Sequence, residues 1–232
     1  MRKERLAAID STMAALERLV SASANERALQ AVLHQDPGIL ALLVQCAIIW
    51  AEYVVFSEYP VGDGVCDFVV LSDRSRMAVT FVEVKGADFH FLNKNGTIAH
   101  RIGAASQQVR TRLGAVDRDY ETFRIDVHRR RLAAERGEYG GRALVGPRGY
   151  MQVDPGKDVK TRGLVIGGRT REDLSESREK HKLERENPRI VFESWDSLLR
   201  KCRNNRIEIA EGQARREQFR REAAADRDAA GS

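Results

Sequence analysis

The sequence predicts an α/β or α+β fold, in which helices cover the faces of one sheet within a single domain. The first observation is the spacing of hydrophobic residues along the chain. It predicts several helices, then three strands, and then helix, strand, helix, strand and helix. A second is size and composition: 232 residues, of which 42% are hydrophobic and 31% charged, can form a real core under a charged surface. No internal repeat is visible in the sequence.

The first segment of the chain is helical in pattern. Residues 4–20 carry apolar side chains at helical spacing. Ser23 and Asn25 each offer an N-cap for a second helix over residues 26–35. Residues 39–47 are apolar nearly all round, which predicts a short buried helix.

The middle of the chain changes to strand patterns. Residues 53–59, 66–71 and 78–85 are rich in β-branched and aromatic side chains. Turn signals separate them, at Gly62-Asp63-Gly64 and at residues 73–76. Three short strands joined by tight turns predict an antiparallel meander.

The second half alternates between helices and strands. Helical spacing returns in residues 98–113 and in the very basic residues 119–136. Residues 137–162 contain six glycines and two prolines and are interpreted as a long loop or insertion. The remaining predicted elements are a strand at 163–168, a charged helix at 170–186, a strand at 190–194 and a helix at 195–203. Beyond about residue 210 the chain is either an exposed helix or a disordered tail.

Several function classes are disfavoured by composition. Cys46, Cys66 and Cys202 are odd in number and lack CxxC spacing, which argues against a disulfide framework or a zinc site. The basic N-terminus is not followed by a long apolar core, and the most apolar run, residues 38–49, is too short to span a membrane. We expect a soluble cytoplasmic protein with no membrane partner. The net charge of +5 is compatible with a polyanionic partner but is weak support alone.

The sharpest chemical feature is the predicted strand that ends in Glu83-Val84-Lys85. Because side chains alternate along a strand, Glu83 and Lys85 point to the same face. A hairpin that pairs Asp67 with Glu83 would have its turn centre at residue 75, in agreement with the turn signal at 73–76. The sequence therefore places two acids and one amine together.

Two carboxylates at one sheet edge form a hard-oxygen site that suits Mg²⁺ or Mn²⁺. Such an ion would polarise a phosphate and activate water, while Lys85 would orient that water or stabilise developing negative charge. The competing interpretation is a surface salt bridge between Glu83 and Lys85. The apolar neighbours on both faces argue against it, because buried charges need partners or a metal.

These residues resemble the PD-(D/E)xK phosphodiesterase core, and further motifs resemble the Shedu family of bacterial anti-phage defence nucleases. The family's opening helix and "NP-x-L" turn resemble residues 26–40, where Asp36 replaces the usual Asn. Its glutamine-bearing helix resembles Ala104-Ala-Ser-Gln-Gln-Val. Its closing strand–helix–strand–helix unit resembles Leu164-Val-Ile-Gly-Gly-Arg and Ile190-Val-Phe-Glu-Ser-Trp-Asp-Ser-Leu-Leu. The resemblance runs from about residue 25 to 203.

The resemblance implies a restriction-endonuclease-like core, a mixed sheet flanked by helices, with site residues carried over by position. Asp67 and Glu83 would be metal ligands and Lys85 the catalytic lysine. Gln108 would assist near the phosphate, with Gln107 a near-equal choice. Glu26 would be the first-helix glutamate of the site, although a simple helix-dipole role is about as good an explanation for it.

The implied function is a Mg²⁺- or Mn²⁺-dependent DNA endonuclease in anti-phage defence that forms a homo-oligomer. Alternatives are a non-cleaving module that binds nucleic acid or a partner on the same fold, or a repair or restriction nuclease. The corresponding division of the chain is an N-terminal helix (1–24), a nuclease domain (25–204) with a loop insertion at about 137–162, and a charged C-terminal tail (205–232).

A basic run on the helix predicted over residues 119–136 is the candidate nucleic-acid surface. Lysine and arginine side chains on one helix can track a phosphate backbone. A solvated helix face is the competing interpretation. The residues are Arg124, His128, Arg129, Arg130 and Arg131.

Overall fold

The computed structural model describes residues 2–44 and 51–230. The chain begins with three helices, α1 (Arg2–Ser21), α2 (Glu26–Gln35) and α3 (Gly38–Val44). Asn25 is the N-cap of α2, as predicted, because its side chain accepts a hydrogen bond from the backbone N–H of Ala28 at 3.0 Å. Residues 45–47 of the predicted third helix, and Cys46, lie outside the described residues.

A six-stranded mixed sheet forms the centre of the molecule, with the strand order β4-β1-β2-β3-β5-β6. The three consecutive central strands form the predicted antiparallel meander. On one side β4 pairs antiparallel with β1, and on the other β5 and β6 continue the sheet in parallel with β3. The strands are β1 (Val54–Val61), β2 (Gly64–Ser72), β3 (Ala78–Val84), β4 (Ala143–Val145), β5 (Lys160–Ile166) and β6 (Ile190–Glu193).

Four further helices complete the fold: α4 (His100–Arg118), α5 (Tyr120–Glu135), α6 (Asp173–Glu186) and α7 (Trp195–Ala230). The helix predicted to end near residue 203 continues to Ala230, so the backbone of the charged tail is helical as far as it is described. The exposed side chains of Arg215 and Gln218 agree with the exposed-helix alternative for this segment.

The sheet separates two hydrophobic layers. Helices α1, α2, α3 and α7 cover one face, and helices α4 and α5 cover the other. Strand β3 lies between both layers, and every one of its residues is buried. This burial explains why β3 reads as a continuous apolar run, and it forces the charged groups at its end to find partners.

The segment 137–162 is more structured than the predicted loop. A 3₁₀ turn (Gly140–Arg142) leads into β4, and β5 begins at Lys160, three residues before the predicted strand. The prediction of a loop is therefore wrong for these parts. Met151 is buried, and the buried carboxylate of Glu52 accepts a hydrogen bond from the backbone N–H of Gln152 at 3.1 Å. Glu52 also forms ion pairs with Arg74 and Arg148.

Replacement of Glu52 by glutamine is expected to lower the free energy of unfolding by about 1–3 kcal/mol at neutral pH, because its arginine partners lose a buried ionised acceptor. Burial raises the pKa of Glu52, but Arg74, the Gln152 N–H and Arg148 outweigh it and hold this pKa below its usual 4.5. The contribution is thus complete above about pH 4.5 and is lost as the pH falls through the lowered pKa.

Chemical denaturation at pH values from 7 to 3 tests this. The difference in stability between the wild type and Glu52→Gln should shrink on acidification. Glu138→Gln is the control, since Glu138 pairs with Arg136 on the exposed surface and should change little. A difference that stays constant down to pH 3 would contradict the assignment.

None of the helices in residues 2–44 and 51–230 has the length and apolar character needed to cross a membrane.

Candidate active site

The register of the β2–β3 hairpin brings Asp67 to Glu83. Phe68 pairs with Val82, which places the preceding Asp67 opposite Glu83, as the turn position predicted. The Asp67 carboxylate accepts a hydrogen bond from the backbone N–H of Val84, at 2.8 Å from Oδ2. The two acids therefore lie side by side on neighbouring strands, near the C-terminal end of β3.

The ammonium group of Lys85 lies between two carboxylates. Its Nζ is 3.0 Å from Oε1 of Glu83 and 3.4 Å from Oε1 of Glu26. Glu26 is the first residue of α2, so this helix reaches the sheet at the site. The structure thus brings together four of the predicted residues: Glu26, Asp67, Glu83 and Lys85.

The backbone of Lys85 is held from three directions. Its N–H donates to the carbonyl of Ile166 at 2.7 Å, and its carbonyl accepts from Nε1 of Trp195 at 2.8 Å. Gly167 packs so closely that an added Cβ would lie 2.7 Å from the Cβ of Lys85. A larger residue at position 167 would displace the lysine, so glycine is required there for close approach.

A cleft of about 740 Å³ opens over the lysine, between the start of α2 and the start of α4. Gln108 lines it and Gln107 does not, which favours Gln108 of the two glutamines considered from sequence. Glu83 is only 4% exposed, and it meets the cleft through its contact with Lys85. The lining residues are Asn25, Glu26, Arg27, Lys85, Asp88, His100, Arg101, Ala104 and Gln108.

Burial and the repulsion between negative charges raise the pKa values of the two acids, Asp67 and Glu83. Burial raises the pKa of Asp67, against the opposing hydrogen bond from Val84. Burial also raises the pKa of Glu83, and the negative charge of Asp67 adds to the increase. Burial lowers the pKa of Lys85, but the carboxylates of Glu83, Glu26 and Asp67 outweigh it, so its pKa lies above the usual value. The site thus combines a charged lysine with an excess of acids.

The excess of negative charge at the site would be reduced by a bound divalent cation. Two carboxylates contact the Lys85 ammonium, and the charge of Asp67 also acts on it. Asp67 and Glu83 are hard oxygen donors that lie together near the end of β3. Within the part of the chain that the structure describes, no group of three or more His, Cys, Asp or Glu side chains is arranged to hold a metal. A cation here would take protein ligands from the two acids and complete its shell with water, as Mg²⁺ commonly does.

Two residues near the site were missed from sequence. The side-chain amide of Gln30 donates a hydrogen bond to Oε1 of Glu26 at 3.5 Å. The charge of Arg112 opposes part of the rise in the pKa of Glu83, and Arg112 donates a hydrogen bond to the carbonyl of Val65 at 3.2 Å. Both could have been found by helical spacing, because Gln30 follows Glu26 by four residues and Arg112 follows Gln108 by four.

The basic run on α5 is not one continuous exposed surface. His128 and Arg131 are 5% and 4% exposed, so both the predicted phosphate track and the solvated face are wrong for these two residues. Arg131 pairs with Glu135 at 2.7 Å. Arg124 pairs with Glu121, while Arg129 and Arg130 share Asp126. Arg129, with 74% of its side chain exposed, is the most accessible of the five.

These features define a class of protein. It is an α/β protein with a mixed sheet, in which two acids, a lysine and a glutamate from a helix lie together near the C-terminal end of the interior strand β3. A family model described as "Shedu protein SduA, C-terminal" matches residues 23–199, and the chain therefore belongs to the Shedu family. No curated protein has significant sequence similarity to the chain. Membership of this family suggests a role in anti-phage defence.

Proposed function

We propose that this protein is a metal-dependent endonuclease of the PD-(D/E)xK type that hydrolyses phosphodiester bonds of DNA in anti-phage defence. The observation that carries the proposal is the position of the Lys85 ammonium, 3.0 Å from Glu83 and 3.4 Å from Glu26, beside Asp67 and on an open cleft. A purely structural ion pair would not need a third acid or an open approach.

Asp67 and Glu83 would hold Mg²⁺ or Mn²⁺. When bound there, the ion supplies polarisation of the scissile phosphate and acidification of water. The hydrogen bond from Val84 fixes the Asp67 carboxylate relative to the strand that carries Glu83. The two ligands are thereby arranged before any ion arrives, which reduces the entropy lost on binding.

Lys85 would orient the attacking water and stabilise the negative charge that develops on the phosphate oxygens. Its shared contacts with Glu83 and Glu26 keep the ammonium in place and in its charged form. Gln108, across the cleft, offers an uncharged amide that would donate to a phosphate oxygen. Glu26 would orient Lys85, and with it the water.

Metal dependence tests this proposal with the wild-type protein. Supercoiled plasmid should be nicked or linearised in Mg²⁺ or Mn²⁺ and left intact in EDTA. A closed circular substrate separates endonuclease from end-dependent exonuclease action, and an RNA of equal length tests the sugar preference. DNA that is bound but left uncut with every cation would favour the non-cleaving module. Cleavage that persists in EDTA would refute the metal mechanism.

The exposed part of α5 remains a proposed contact with the DNA backbone, and Arg129 is the most exposed arginine there. Arg129→Glu is expected to weaken binding of all DNA sequences alike and to reduce the slope of log affinity against log salt by about one. Fluorescence anisotropy at several salt concentrations measures both. Arg215→Glu, the same change at an exposed position of α7, controls for net charge. If the slope of log affinity against log salt is the same for both variants, α5 does not contact the DNA backbone.

A further inference from the structure

The side chain of Arg101 lies at the cleft that opens over Lys85. Arg101 is the second residue of α4, and it lines this cleft together with Asp88 and Lys85. Its side chain is 55% exposed. The positive charge of Arg101 is therefore accessible to a molecule that enters the cleft.

Two neighbouring side chains fix the orientation of the Arg101 guanidinium. Its Nη1 donates to both carboxylate oxygens of Asp88, at 2.8 Å to Oδ1 and 2.9 Å to Oδ2. Its Cζ lies over the ring of Phe89, 5.1 Å from the ring centroid, which adds a cation–π contact. A guanidinium that is already held in place loses less conformational entropy when it binds a ligand than a freely rotating one.

Asp88 is itself packed close to Lys85. Gly86 follows Lys85 directly, and a Cβ added to Gly86 would lie 2.3 Å from Oδ1 of Asp88. The absence of a side chain at Gly86 thus gives the Asp88 carboxylate room to pack against the chain just after β3. Because Arg101 is hydrogen bonded to this carboxylate, its guanidinium is anchored beside the residue that follows Lys85.

Part of the Arg101 guanidinium is free to bind a ligand. Arginine has five N–H donors, and both hydrogen bonds to Asp88 use Nη1. Within residues 2–44 and 51–230, Nη2 and Nε of Arg101 form no hydrogen bond with another residue. Such a pair of adjacent donors matches two oxygens of one phosphate group.

A purely structural role for the ion pair between Asp88 and Arg101 explains less. The loop that carries Asp88 is already fixed by backbone hydrogen bonds. One joins the N–H of Ala87 to the carbonyl of Ala24 at 2.8 Å, and another joins the N–H of Arg169 to the carbonyl of Phe89 at 2.7 Å. Since both partners of the ion pair are partly exposed, it adds little to stability.

We propose that Arg101 binds the DNA phosphate next to the scissile one. The inference rests on the proposed function, because it states how the same cleft holds its substrate. Successive phosphates of one strand lie about 3.4 Å apart along the duplex axis, so a cleft of about 740 Å³ has room for a second phosphate. Lys85 would act at the scissile phosphate while Nε and Nη2 of Arg101 hold its neighbour.

The test measures DNA binding and DNA cleavage separately, with the full chain. Arg101→Gln should raise the dissociation constant of a short fluorescein-labelled duplex in EDTA by about 10-fold, the usual loss for a charge-assisted hydrogen bond, as measured by anisotropy. With plasmid and Mg²⁺, KM should rise by a similar factor and kcat should stay close to that of the wild type. The reason is that a flanking phosphate is bound equally in the ground and transition states.

Two further variants distinguish a phosphate contact from a structural ion pair. Arg118→Gln makes the same change at an exposed position in the last turn of α4, about 25 Å along the helix from Arg101, and should bind and cut like the wild type. Asp88→Asn weakens the ion pair but leaves Arg101 charged and removes a negative charge from the cleft. We expect it to bind the duplex at least as tightly as the wild type. Thermal unfolding of all variants shows whether the fold is kept.

The possible results separate this inference from the proposed function. Unchanged duplex binding and KM in Arg101→Gln, with normal cleavage by the wild type, overturns the role of Arg101 alone. Binding that Asp88→Asn weakens as much as Arg101→Gln also overturns it, as does a fall in kcat without a change in KM. A wild type that binds the duplex but cuts no DNA in Mg²⁺ or Mn²⁺ overturns the proposed function, while the binding data still decide whether Arg101 contacts a phosphate.

Discussion

Replacement of Lys85 by alanine is expected to reduce metal-dependent DNA cleavage by about 10²–10³-fold, the typical cost of losing one group that stabilises charge in a transition state. The ammonium is the positive group that the structure places beside Glu83 and Glu26, and the cleft opens over it. Supplying more metal should not restore activity, because a cation bound at the acids does not replace the contact between the lysine and the water.

The variant also removes the partner of a buried acid. Glu83 is 4% exposed, so Lys85→Ala leaves its charge unpaired and should lower the melting temperature. Lys85→Met keeps the aliphatic part of the side chain and removes only the charge. Comparison of its melting temperature with that of Lys85→Ala therefore separates the loss of packing from the loss of charge. Lys94→Ala is the control, since Lys94 is an exposed lysine in the loop that follows β3. Cleavage by Lys85→Ala at the rate of Lys94→Ala would refute the assigned site.

The largest effect on stability is expected at Trp195. Trp195 is 0% exposed and is one of the largest fully buried side chains among the described residues. Trp195→Ala should lower the free energy of unfolding by about 3–5 kcal/mol, because it leaves a large cavity in the layer that α7 shares with α2 and α3. Urea denaturation measures this, with the exposed Tyr150→Ala as a control that should change little.

Trp195 also contacts the candidate active site directly from the hydrophobic core. Its Nε1 donates to the carbonyl of Lys85 at 2.8 Å, so Trp195→Phe keeps most of the packing but removes a fixed point of the lysine backbone. We expect this variant to remain folded and to lose cleavage activity beyond what its reduced stability explains. Full activity in Trp195→Phe would show that the hydrogen bond does not help to position Lys85.

The core of the candidate site could be predicted because local rules determine it. The two-residue period of a strand puts Glu83 and Lys85 on one face, and the turn at residues 73–76 fixes the hairpin register that brings Asp67 to them. The order of the helices and strands followed from hydrophobic period for the same reason. Each of these features depends on a short stretch of sequence.

Features that depend on tertiary packing were not predictable in this way. Strand β4 has three half-buried residues, too few to show a period, and its pairing with β1 is long-range. His128 and Arg131 are charged or polar positions on a basic helix, yet α5 packs against β1 and β4 and buries both. Arg131 tolerates burial because Glu135, one turn later, compensates its charge.

The most direct test of the account is where a metal ion binds. Crystals of the wild-type protein soaked in Mn²⁺ should show an anomalous peak within roughly 2.1 Å of carboxylate oxygens from both Asp67 and Glu83, with the Lys85 ammonium beside them. Absence of a peak between these two acids at saturating Mn²⁺, or a peak bound by other residues instead, would contradict the nuclease site.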